Sequence, residues 1–116
     1  MRLVAKSIDE PALRSTIDQM PAGTLSDAEK DGILYMREEE KLAHDVYLML
    51  YEKWNLAIFD NIARSKQTHT DAVKTLIDKY GLEDPAVDTI GTFSNPELRS
   101  FMITLWIREA IHYAML

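Results

Sequence analysis

Apolar residues recur along the middle of the chain at helical rather than strand spacing. In "YMREEEKLAHDVYLML", residues 35–50, Met36, Ala43, Val46, Tyr47 and Leu50 fall on one stripe of a helix. Upstream, Ser26 is a candidate N-cap, and Glu29 three residues on completes a capping box. No proline interrupts the run to Trp54, so a long helix is predicted over about 26–53. "KWNLAIFDN" reads as the turn. A second helix is predicted over 58–80, with a stripe running from Phe59 through Ile62, Lys66, His69, Val73 and Ile77 to Tyr80. Gly81 closes it as the C-terminal cap residue, with "EDP" just beyond. Shorter pieces flank this pair. "IDEPALRSTIDQM" has the form of a short helix with Pro11 in its first turn, ended by "PAG" at 21–23. "AVDTIGTFSN" reads as a β-rich loop, and Asn95 with Pro96 opens a last helix. The expected class is all-α: a 1–24 segment followed by a helical domain, 25–116, built on a long antiparallel hairpin.

Composition narrows the function classes. The 116 residues are 47% hydrophobic and 28% charged, as for one ordinary soluble domain. A net charge of -6 argues against non-specific binding to nucleic acid or an anionic membrane. With no cysteine, disulfides, cysteine-ligated zinc and thiol catalysis are excluded. "MRLVAKSIDE" lacks the apolar core of a signal peptide, and no run approaches a membrane span, so a cytoplasmic location is expected.

The three consecutive glutamates are the candidate chemistry. Glu39 and Glu40 fall in the gap of the first stripe, while Glu38 lies about a third of a turn off it, toward solvent. A carboxylate aimed at a core is costly unless it is partnered. On the facing stripe Lys66 and His69 stand on an otherwise apolar surface. Glu40 lies about 14 residues before the turn and His69 about 11 after it, which puts them level in an antiparallel hairpin. Carboxylate and imidazole between helices are the parts of a bundle-core metal site. A Lys66–Glu40 ion pair is the structural alternative. Nucleophilic catalysis has no supporting constellation, because Ser65 and His69 share a face only loosely.

"LSDAEKDGILYMREEEKLAHDVYLMLYEKW" followed by "FDNIARSKQTHTDAVKTLIDKYGLEDP" resembles a ferritin-like family, domain of unknown function 2202, over roughly residues 24–100. More distantly, Glu40, Ala43 and Tyr47 resemble the first-helix motif of rubrerythrin-type proteins. The resemblance implies metal ligands at Glu40 and His69, with Glu39 in reserve, Tyr47 as a packing neighbour, and iron or manganese as cofactor. The sequence departs from the pattern in two places. Lys66 stands where the Glu-x-x-His motif has its glutamate, which removes an anionic ligand and adds a positive charge. After "FSNPELRS", related sequences continue with something like "LYDxLVxxGxxSxxDAL" and two more helices, whereas here the tail is "FMITLWIREAIHYAML". Codons for that tail can read Y-D-N-L-V-D-K-G-S-x-S-L-R-D-A in a shifted frame. A frameshifted second half is therefore one expectation and a divergent short homologue the other; the downstream DNA decides between them.

The tail is apolar on most sides, through Phe101, Met102, Leu105, Trp106, Ala110, Ile111 and Tyr113. A lone surface helix cannot bury that, and a two-helix hairpin needs a second layer. A homodimer completing a four-helix bundle, or a higher oligomer, is therefore expected, and a dimer would bring two Glu40 and two His69 together; non-specific aggregation through the tail is the alternative. Two functions stay open: a ferritin-like iron or manganese protein of diiron oxidoreductase ancestry, or a non-catalytic helical oligomer with no cofactor, its metal site lost to Lys66.

Overall fold

The computed structural model describes residues 10–114, apart from the side chains of Glu10 and Tyr113. The expectations for residues 1–9 and 115–116 and for the Tyr113 ring lie outside the described residues. Four helices follow one another: α1 (Glu10–Gln19), α2 (Asp27–Trp54), α3 (Ala57–Lys79) and α4 (Pro96–Ala114). Among the described residues there is no strand, including in the 80–95 connection. No helix among them is long and apolar enough to cross a membrane.

Local chemistry sets the ends. Ser26 Oγ accepts the Glu29 N–H at 3.1 Å while the Ser26 N–H donates to Glu29 Oε1 at 3.0 Å, so the capping box is complete. These hydrogen bonds hold the Glu29 carboxyl below its ordinary pKa. Asn55 ends α2 in the left-handed region at φ 52, its N–H donating to the Tyr51 carbonyl, and a two-residue connection reverses the chain. At the far end of α3, Gly81 takes φ 63, and the Leu82 N–H reaches the Ile77 carbonyl at 3.0 Å. With Gly81 N–H on the Asp78 carbonyl this is a complete Schellman ending. Asn95 Oδ1 caps α4 by accepting the Glu97 N–H at 2.9 Å, with Pro96 in the first position.

α2 and α3 form the antiparallel hairpin. The pairs Arg37–Thr70, Glu40–His69 and Tyr47–Phe59 descend α3 as they ascend α2. Leu42, Val46 and Leu50 of α2 join Phe59 of α3, Phe93 of the connection, and Leu98 and Ala110 of α4 in one core. α4 thus packs on α2, while α1 packs on α3 through Ile17. The Lys79 ammonium donates to the Ile17 and Met20 carbonyls at the end of α1. The hairpin's second layer therefore comes partly from the 80–95 connection, which crosses one of its faces. Met36, expected in the buried stripe, is 49% exposed because nothing in the described chain covers that part of α2.

Candidate functional site

The facing stripes bring Glu40, Lys66 and His69 together. Glu40 Oε2 lies 3.5 Å from Lys66 Nζ and 3.5 Å from His69 Nδ1. The same oxygen is shut off from solvent and has no hydrogen-bond partner at those distances. The three side chains are only partly buried, with 22–32% of each exposed. Glu39 is separate from this group: it is exposed and lines a groove between α2 and α4.

The donor set does not fit a divalent metal within one chain. Glu40 and His69 supply one carboxylate and one imidazole, and among the described residues no third His, Cys, Asp or Glu joins them. A ferritin-like pair of metals draws on several carboxylates and two histidines. The Lys66 ammonium stands against the very oxygen a metal would need.

A second polar group, which the sequence reading missed, is more deeply buried. Glu38, expected toward solvent, is 3% exposed. Its Oε2 accepts the Ser94 N–H at 2.6 Å and its Oε1 the Asn95 N–H at 3.1 Å, at the start of α4. Glu38 is covered because α2 has a third buried sector, where the 80–95 connection and α4 meet it. Asp45 is fully buried and accepts from Lys41 Nζ at 2.6 Å and from the Gly91 N–H at 2.9 Å, with His44 Nδ1 2.7 Å away. Lys41 donates further to the Thr89 and Thr92 carbonyls at 3.0 and 3.2 Å, and its ammonium sits 4.6 Å from the centre of the Phe93 ring. Arg37 grips Asp84 with two nitrogens at 3.1 Å each and the Thr70 carbonyl at 3.0 Å. Gly91 takes φ 78, in the left-handed region that favours glycine, where its N–H reaches Asp45. The Arg37 to Asp45 stretch of α2 is a clamp on the connection.

The clamp titrates. Burial raises the Asp45 pKa, but the His44, Lys41 and Gly91 hydrogen bonds outweigh it and hold the carboxyl below its ordinary value. Burial likewise opposes, and Arg37 and the Ala86 N–H prevail, at Asp84. A carboxyl with a depressed folded pKa stabilises fully above its unfolded pKa and loses that contribution as pH falls through the folded one. Stability should therefore hold down to about pH 4, the unfolded aspartate range, and fall progressively below it. Protection of the Gly91 amide, the ratio of its intrinsic to its observed exchange rate at each pH, should fall over the same window. Protection there that is unchanged from neutral pH to pH 2 would contradict the clamp.

The fold and these sites define a class: an all-α helical-hairpin protein with one half-buried charged centre between the helices and a charged clamp beside it. The chain belongs to the family described as uncharacterized protein domain DUF2202, whose model matches residues 29–112. That match runs past the expected limit near residue 100 and takes in most of α4. An uncharacterized protein of Methanocaldococcus jannaschii is 58% identical over 82 residues, covering 70% of this chain and 44% of that protein. The chain thus spans less than half the length of this relative. No solved structure matches it.

Proposed function

We propose that this chain is a ferritin-like helical module that works by association, with Lys66 acting as the fixed cation of Glu40 where the resemblance implies metal. The observation that carries this reading is the Lys66 ammonium 3.5 Å from Glu40 Oε2, level with His69. A lysine supplies the charge balance that a ligated cation would supply, and it needs no further ligands. The iron or manganese reading keeps one point in its favour: Glu40 Oε2 is hidden, unbonded and beside an imidazole.

Lys66→Glu separates the two. On the proposed reading it leaves two carboxylates facing each other, at a cost of about 1–2 kcal/mol at this half-exposed depth. The melting temperature should fall equally with and without Fe²⁺ or Mn²⁺. A metal-dependent rise in the variant, or stoichiometric metal in wild-type protein purified without a histidine tag or chelator, would overturn the proposal in favour of a metal protein.

A further inference from the structure

Helix α4 carries an outward face that no surface helix needs. Leu98 and Ala110 point into the core, with Met102 and Leu105 packed beside them. On the opposite side Ile103, Ile107 and Ile111, spaced by four, form a single row and are 60%, 45% and 55% exposed. Beside the row runs the groove between α4 and α2, of about 380 Å³, floored by Leu42, Leu98 and Leu105. Phe101, 52% exposed, and Tyr35, 38% exposed, stand in it. Contiguous apolar surface on this scale marks a contact rather than a solvated face.

Charge selects the occupant. The protein carries a net charge of -6, so a random approach of two copies is repulsive. Between Glu97 and Glu109, however, the only charges on α4 are Arg99 and Arg108, whereas the neighbouring edge of α2 carries Asp31 and Glu39. Glu39 and Arg108 line the same groove. Arg108 makes a 3.6 Å contact with its neighbour Glu109 and its side chain is 71% exposed. One molecule thus holds Arg99 and Arg108 of α4 beside Asp31 and Glu39 of α2, so an isologous contact can set each pair against the other's counterpart under one two-fold axis. α4 is about 28 Å long at 1.5 Å per residue, so two adjoining helix-wide strips approach the ~800 Å² per partner of a stable complex.

We infer that the α4 isoleucine row and the α2–α4 groove are the surface on which a second copy of this chain docks, Arg108 of each copy facing Glu39 of the other. This deepens the association reading and rests on it, but not on the role given to Lys66, so dimerisation and the metal-dependent melting test fail independently.

The test is sedimentation velocity of the full chain across the micromolar range. A species of twice 13.3 kDa is expected. Ile103→Glu with Ile107→Glu should weaken association by about a hundredfold or more, as for charges placed in the centre of an interface. Both positions point outward, so helical circular dichroism should be unchanged, and a variant that unfolds is replaced by the milder Ile107→Ser. Glu39→Arg and Arg108→Glu should each weaken the dimer about tenfold, and together restore it to within about threefold. A chain that stays monomeric throughout overturns the inference. So does a dimer indifferent to the isoleucine changes, and so does a charge swap that fails to restore binding.

Discussion

Alanine at Asp45 should cost the fold about 3–5 kcal/mol, the range for removing one partner of a buried ion pair. A domain of this size has only about 5–15 kcal/mol in total, so the variant should sit near the edge of folding at 37 °C. The size of the effect comes from what is left behind. Asp45 is fully buried and receives Lys41, the Gly91 N–H and the His44 ring within 3 Å. Without it the Lys41 ammonium keeps only the Thr89 and Thr92 carbonyls and the Phe93 ring. A charge buried without its counter-charge costs more than the pair contributes when whole. Asp45→Asn, which keeps the shape and most of the acceptors, should therefore cost less than Asp45→Ala. Replacing both partners together, as Lys41→Met with Asp45→Leu, should cost less than the sum of the two single changes. Urea unfolding of the four proteins gives the coupling directly. Additive losses, or an Asp45→Ala cost under about 1 kcal/mol, would place the tether of the connection elsewhere, at Glu38 or at the Arg37–Asp84 pair.

The hairpin was legible because every local signal pointed one way. Ser26 with Glu29, Gly81 before "EDP", and the two apolar stripes all specify the same pair of helices, and the structure differs by a residue or so at each end. The level match of Glu40 with His69 could be counted from the turn, because the rise per residue is fixed and the connection is short. The clamp could not be counted in that way. The partners of Glu38, Lys41 and Asp45 across the connection are backbone groups, of Thr89, Gly91, Thr92, Ser94 and Asn95, which carry no side-chain signature. A faint signal existed: Lys41 and Asp45 are spaced by four on the face that also holds Glu38 and Leu42, and a glycine follows in "TIGTFSN". The stripe argument also places residues only to within about a third of a turn, so it could not separate Glu39, which is exposed, from Glu40, which is half-buried. Met36 shows the same limit from the other side. A stripe names the residues able to be covered, and what arrives to cover them is decided by the rest of the chain or by another molecule.

The second large effect belongs to Phe59→Ala. Phe59 is the buried residue that α3 contributes to the core shared by α2, the connection and α4. It is fully buried, and its ring lies 6.1 Å from that of Tyr47, tilted by 32°. Truncation removes the transfer free energy of the ring and leaves a cavity, together about 3–5 kcal/mol. Val46 and Leu50 are held on a stiff helix and Leu98 on another, so the cavity should not collapse far. Phe59→Leu refills most of the volume and should cost under about half as much. The pair of variants also tests whether α4 belongs to the cooperative unit. If it does, both should lower the urea midpoint without changing the slope, and amides of α4 should lose protection together with those of α3. A two-step transition, with α4 exchanging early in wild type and variant alike, would mean that the hairpin folds without α4 and that the α4 isoleucine row must be held in place by a second copy rather than by its own chain.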